Sequence, residues 1–260
     1  MVSRHDNYTV GCFAHMNFRI DPLSISTVCI MNDFSPRERN RRLKLFLARL
    51  TNGKPVQYYI QHTKNLAVLG YFFDNKEINH MLAICAGVEN LVLLAPTSFE
   101  LFENSLAGLN LRRLTIKLEN VSRPFGSRPN FYLSCFSNLT HLHLTDEDND
   151  WPTYGGWETL VNLTHLAFAW WGPPEKVLPL IQTLPSVQYV ALGRYCVERY
   201  KFAEAKVNTH IHIRAAWGTR VVVLSDMPLY DWERGARGGE DFWDLVEEEI
   251  ERRLEEGSVD

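Results

Sequence analysis

The sequence predicts an α/β fold, a leucine-rich-repeat-like solenoid with a parallel sheet on one face, helices on the other and a capping helix at the C-terminus. Three observations predict it. First, Asn138-Leu-Thr-His-Leu-His-Leu144 and Asn162-Leu-Thr-His-Leu-Ala-Phe168 repeat one pattern 24 residues apart. Second, its apolar skeleton, L-x-x-L-x-L, recurs as Leu66, Leu69, Tyr71, as Leu111, Leu114, Ile116 and as Val187, Val190, Leu192, with a weaker copy at Leu91 and Leu94 that meets Pro96 in its sixth slot. First slots at 66, 91, 111, 139, 163 and 187 give steps of 25, 20, 28, 24 and 24, inside the range of about 20–29 residues for this repeat class. Third, helically spaced stripes lie between the strands: Ile78, Met81, Leu82 and Cys85, then Val177, Leu178, Ile181 and Leu184.

The physics of one unit explains the stacking. Slots four and six lie two residues apart on a strand, so both side chains point to one face, and slots three and five point to the other. One strand and one short helix cannot bury that face alone, whereas stacked copies form a continuous core. A closed or doubly wound α/β domain shares the strand–helix alternation and is the alternative architecture.

Taken in chain order, residues 1–34 show no period and read as an irregular N-terminal segment. Residues 35–257 read as one domain. Ser35-Pro36 is a helix start, Leu43, Phe46, Leu47 and Leu50 form its stripe, and Gly53 with Pro55 ends it. The repeats follow. Arg220 to Leu224 reads as a last strand, then Gly235, Gly238 and Gly239 mark a loop. Phe242, Val246, Ile250 and Leu254 form an i, i+4 stripe on a final helix, read as a cap over the last repeat.

Composition bounds the function. A net charge of −4 offers no basic excess for gripping phosphate backbones, so no nucleic-acid partner is expected. No 18-residue apolar run or secretory leader is visible, so no membrane partner is expected and the chain reads as intracellular, cytoplasmic or nuclear. The five cysteines, Cys12, Cys29, Cys85, Cys135 and Cys196, make no CxxC pair and read as reduced thiols.

Candidate binding residues come from the strand slots. Slot three carries Arg113, His141, His165 and Tyr189 in successive repeats, and slot five carries Thr115, His143, Ala167 and Ala191. These side chains are expected on the open side of the sheet as a row, with Arg113 and Tyr189 as anchors of a protein partner. Trp170 and Trp171 end the best strand and form a candidate aromatic patch, while Trp151, Tyr154 and Trp157 read as edge packing. His141, His143 and His165 offer nitrogens that zinc accepts. Repetition of a polar filler explains them as well, so neither metal nor other cofactor is expected.

The Asp146–Asp150 run lacks the Gly and Glu positions of a calcium loop and reads as a solvated turn. Arg37, Arg39, Arg41, Arg42 and Lys44 read as a solvated helix face, and His210 with His212 as surface residues. No nucleophile elbow, phosphate loop or oriented Cys–His pair is present, so no catalytic residue is assigned and no enzyme is expected.

The segment RVVVLSDMPLYDWERGARGGEDFW from Arg220 to Trp243, with the strands FSNLTHLHL and LVNLTHLAF, resembles the F-box/leucine-rich-repeat-like proteins of basidiomycete fungi over roughly Ser35 to Leu254. The resemblance implies a ubiquitin-ligase receptor, whose repeats hold a protein target and whose F-box docks a cullin-type ligase adaptor. The F-box itself, a helical segment of about fifty residues by that resemblance, is not evident in the 34 residues before Ser35. The alternatives are a hydrolytic or metal-dependent α/β enzyme and a solenoid without a ligase link.

Overall fold

The computed structural model describes residues 27–30, 48, 53–68, 75–94, 97–98, 102–118, 121–122, 130–146, 151–169, 177–193, 220–224, 227, 229–236 and 238–257. Its strands are β1 (Thr27–Ile30), β2 (Asn65–Val68), β3 (Asn90–Leu93), β4 (Thr97–Ser98), β5 (Arg113–Ile116), β6 (Val121–Ser122), β7 (His141–Leu144), β8 (His165–Ala169), β9 (Tyr189–Gly193) and β10 (Val221–Leu224). Eight of them form one sheet in the order β1-β2-β3-β5-β7-β8-β9-β10, and β4 pairs β6 in a second, small sheet. Every pairing is parallel. The chain is therefore of the α/β class, and the main sheet advances in one direction without reversing.

The register explains the burial. Leu66, Leu91, Leu114, Leu142, Leu166 and Val190 are partners across successive strands and are at most 2% exposed. Two residues on, Val68, Leu93, Ile116, Leu144, Phe168 and Leu192 form a second buried column. Each such side chain contributes roughly 1.5–3 kcal/mol by leaving water. Columns of apolar slots thus supply the main core; Cys85 and Cys135 in it are free and buried, and burial pushes their thiols up to about 11 and about 12.

Two repeats are shifted from the sequence reading. Leu66 and Leu91, expected in slot one, pair in line with Leu114 and so occupy slot four. Slot one in those repeats falls to Thr63 and Val88, both buried. First slots then stand at 63, 88, 111, 139, 163 and 187, with steps of 25, 23, 28, 24 and 24. The outlying step of 20 vanishes. The physical reason is that β2 and β3 are apolar on both faces: Ala67 and Val92 pack against Trp232, so no polar alternation marks the phase. Leu69, Tyr71 and Pro96 lie outside the described residues.

The connections pack on one side of the sheet. Helices α1 (Val56–His62), α2 (Asn75–Ile84) and α3 (Leu178–Gln182) lie there, with Pro55 at the N-cap position of α1. Ile78, Met81, Leu82 and Cys85 are buried as their spacing predicts, as are Val177 and Leu184. Trp151, Tyr154 and Trp157 belong to this core rather than to a binding patch; the Trp157 indole N–H donates to the Trp151 carbonyl at 3.0 Å.

Three expectations need correction. The stretch 1–34 contains a strand, β1, paired to β2, although no sequence period marks it. The glycine-bearing stretch after β10 contains a helix, α4 (Leu229–Ala236), and Gly238 with φ 82 turns the chain from it into α5 (Phe242–Gly257). Asp146, expected in a solvated turn, is fully buried. The Ser35 helix (Ala48 apart, which is helical), the basic cluster, residues 147–150, Trp170, Trp171, His210 and His212 lie outside the described residues. No helix among the described residues is long and apolar enough to cross a membrane.

Candidate binding face

The slot-three residues do form one row. Asn65, Asn90, Arg113, His141, His165 and Tyr189 are register partners on six successive strands. Slot five forms a second row of Ala67, Val92, Thr115, His143, Ala167, Ala191 and Val222. Both rows lie on the side opposite the leucine columns, as one residue of phase requires. The face is not open, however. Helices α4 and α5 lie across it: Trp232 of α4 packs on Ala67 and Val92, and α5 with Met227 builds a second core in which Ala167, Ala191 and Val222 meet Phe242, Trp243, Val246 and Ile250. The final helix therefore covers far more than the last strand.

The polar row is what seats these helices. At the β2 end, the Asn90 amide donates to Asn65 Oδ1, and the Asn65 amide donates at 2.9 Å to the carbonyl of Ala236, the last residue of α4. In the middle, Arg113 donates to Asp241 Oδ2 at 2.9 Å. Further on, His165 Nε2 lies 2.8 Å from Glu247 Oε1. At the far end, Arg253 donates to the Val221 carbonyl of β10 at 2.7 Å. These four anchors fix the C-terminal segment from β2 to β10.

Local sequence makes the seat. Asp241 precedes α5 and its Oδ1 accepts the Trp243 N–H at 2.8 Å, while Asp244 Oδ2 accepts the Asp241 N–H at 2.5 Å. This reciprocal pair is a capping box with Asp in place of the usual Glu. Gly235 lies against the Asp241 carboxylate, where a Cβ has no room. Burial raises the Asp241 carboxyl above its ordinary range; Arg113 and the Trp243 N–H oppose that shift.

Threonine hydroxyls hold two of the histidine rings. Thr140 Oγ1 donates to the Arg112 carbonyl and lies 2.8 Å from His141 Nδ1. Thr164 Oγ1 donates to the Thr140 carbonyl and lies 2.7 Å from His165 Nδ1. Each hydroxyl thus bridges a strand carbonyl and the neighbouring ring nitrogen. The two rings stack at 3.9 Å, His165 stacks on Tyr189 at 4.5 Å, and Trp243 stands edge-on to both histidines at 5.3 and 5.4 Å.

Burial keeps all three imidazoles neutral. It lowers His141 to about 2, with the charges of His165 and Arg113 adding, and lowers His143 to about 3. His165 falls to about 4 through burial and Arg113. Glu247 moves the other way, raised by burial and by Asp244 and Glu251. A neutral imidazole beside the Glu247 carboxyl describes a hydrogen bond rather than a salt bridge.

Of the sequence-predicted site residues, the structure brings Arg113, His141, His143, His165 and Tyr189 to one face. It gives them an internal partner where an external one was expected. The cavity left beside Arg113, His141, His143, Trp232 and Asp241 is about 10 Å³, space for one water-sized molecule. Asn65, Asn90, Asp241, Trp243 and Glu247 complete the face and were missed. Asn65 and Asn90 precede the misphased leucines and, once the phase is right, fall in slot three. Asp241 and Glu247 had no local signal, because they meet partners 128 and 82 residues away. His141, His165 and Glu247 place three potential ligand atoms within 4.8 Å of one another.

No protein-family model matches the chain, and a search of curated proteins finds no match.

Proposed function

We propose that this chain is a leucine-rich-repeat-like interaction module, the target-recognition part of an F-box-like ubiquitin-ligase receptor. One observation carries the module reading: the sheet runs from β1 to β10 in a single direction. Open α/β domains that bind substrates place them at a switch point, where strand order reverses. A one-way sheet with a step of 23–28 residues from slot to slot is what stacked repeats produce. The cavity on the covered face is also far below the roughly 300–1,000 Å³ of small-molecule pockets. The ligase half of the proposal rests on the tail and strand motifs of the sequence.

A specific observation favours a second reading, a repeat domain without a ligase link. Its would-be recognition face is filled by its own α4 and α5. A target must then compete with α5 or use the margins, where Arg113 and Tyr189 are only partly buried.

Affinity purification of the full chain from its native host, with folding checked by circular dichroism, separates the two. Stoichiometric recovery of a cullin-type ligase adaptor supports the receptor. A natively folded chain that recovers none contradicts the ligase half and leaves the repeat module.

A further inference from the structure

We propose that α5 is an acid-released cover: below neutral pH it lifts from strands β7 to β10 while the leucine columns stay packed, and the slot-three row opens to solvent. The geometry sets up a separable layer. Phe242, Trp243, Val246 and Ile250 rest on Ala167, Ala191 and Val222, in a cluster that shares no residue with the leucine columns across the sheet. The floor of that cluster is made of small side chains, so lifting α5 exposes little apolar surface of the sheet. The strands keep their ladder without α5, because β5, β7, β8 and β9 are each paired on both sides within the sheet. A lifted α5 of 16 residues is marginal as a lone helix in water, so lifting also frees its own amides.

All three histidines of the sheet face lie beneath this cover. Phe242 stands edge-on to His143 at 5.5 Å, and Trp243 to His141 and His165 at 5.3 and 5.4 Å. The Nε2 atoms of His141 and His143 are shielded from solvent and have no hydrogen-bond partner among the described residues. An imidazolium donates from both nitrogens, so a proton taken up under α5 leaves a buried donor unmet, whereas one taken up after lifting meets water. Seated α5 therefore holds His141 and His143 at about 2 and about 3, against about 6.5 in water. Acidification favours the lifted state by about tenfold per histidine between about pH 7.5 and about pH 5.5. The charges facing the rings divide. Arg113 on β5 disfavours a proton on His141 and on His165 and so adds to the push. From α5 and its cap, Glu247 faces His165, with Asp241, Asp244 and Glu251 around it. Burial raises the Asp241 and Glu247 carboxyls, so each binds a proton more tightly under seated α5 and opposes release. That opposition is complete only at the ordinary carboxylate range of about 4, whereas the histidine push begins near about 6.5. This inference stands independently of the function proposed above.

The test is amide hydrogen exchange of the full chain at about pH 7.5 and about pH 5.5, corrected for the intrinsic pH dependence of exchange. It is read at the amides of Val246 to Ile250 in α5 and of His141 to Leu144 in β7. The α5 amides are expected to be at least about tenfold less protected than the strand amides at both pH values. Their protection should fall by at least about tenfold, and up to about a hundredfold, on acidification. His143→Leu keeps an apolar side chain under Phe242 and removes one proton site, so the fall should be smaller. Circular dichroism checks its folding; His143→Gln, neutral at both pH values, replaces it if it does not fold. One shared protection for α5 and β7, a fall smaller than stated, or an undiminished fall in the folded variant each overturns the device.

Discussion

Acidifying the protein from about pH 7.5 to about pH 5 is expected to remove about 4 kcal/mol of folding stability through His141 and His143. Both are buried neutral in the folded chain, with pKa lowered to about 2 and about 3. The unfolded chain takes up a proton on each near the ordinary value of about 6.5, while the folded chain does not. A folded pKa below the unfolded one means that the unfolded state binds more protons as pH falls. Stability is therefore complete above about pH 6.5 and declines below it, by up to about 1.4 kcal/mol per pH unit per histidine. At about pH 5 each contributes a loss of about 2 kcal/mol, a large part of a typical margin of about 5–15 kcal/mol. Urea denaturation across this pH range measures the slope. His143→Leu should make that slope shallower by about one proton, because Phe242 packs on the ring and nothing among the described residues hydrogen-bonds its Nε2. An unchanged slope in His143→Leu would mean that this histidine is not buried under α5.

Trp243→Ala is expected to cost about 3–5 kcal/mol, the range for truncating a buried aromatic. The indole is 6% exposed and stands edge-on to His141 and His165 while tilting on Phe242 at 4.4 Å. It closes the apolar floor of Ala167, Ala191 and Val222, whose small side chains offer nothing to fill its space. Denaturant unfolding at neutral pH gives the value. A cost below about 1 kcal/mol would place Trp243 on the surface, because substitutions away from buried features are usually within about 0.5 kcal/mol.

The leucine columns were legible from spacing because they recur in phase with buried strands, and His141, His165 and Tyr189 fell into one row for the same reason. Phase was lost at Leu66 and Leu91, where Ala67 and Val92 make the second face apolar as well. That loss hid Asn65 and Asn90 from the row they belong to. The second face is apolar at those strands because α4 covers it, and α4 itself was read as a loop from Gly235, Gly238 and Gly239. The lost phase, the missed helix and the covered face thus trace to one cause, a layer supplied by the C-terminus. The stripe Phe242, Val246, Ile250 did announce a buried helix face, and Leu254, 54% exposed, shows where it ends. What the stripe could not announce is its partner, since Arg113 to Asp241 and His165 to Glu247 are long-range pairs with no periodic signal.

A row of Asn, Arg, His and Tyr on a sheet face suggests a surface kept polar for solvent or for a partner. Here the same side chains act inward. Asn65 receives α4, Arg113 receives the cap of α5, and His165 receives its first turns. A parallel sheet covered on both faces is the usual condition of such sheets, and this chain meets it with its own C-terminal helices. Any partner of the proposed module is therefore expected to be weakened by whatever holds α5 down, if it uses this face.

The claim that the row seats the C-terminus is tested most directly by a double-mutant cycle across Arg113 and Asp241. Arg113→Ala, Asp241→Ala and the double variant are unfolded in urea beside wild type. Asp241 is 4% exposed and bonds both Arg113 and the first turn of α5. The account predicts a coupling of about 1–3 kcal/mol, with the double variant less destabilised than the sum of the singles. Additivity within about 0.5 kcal/mol would mean that the two side chains do not meet and that the sheet face lies open.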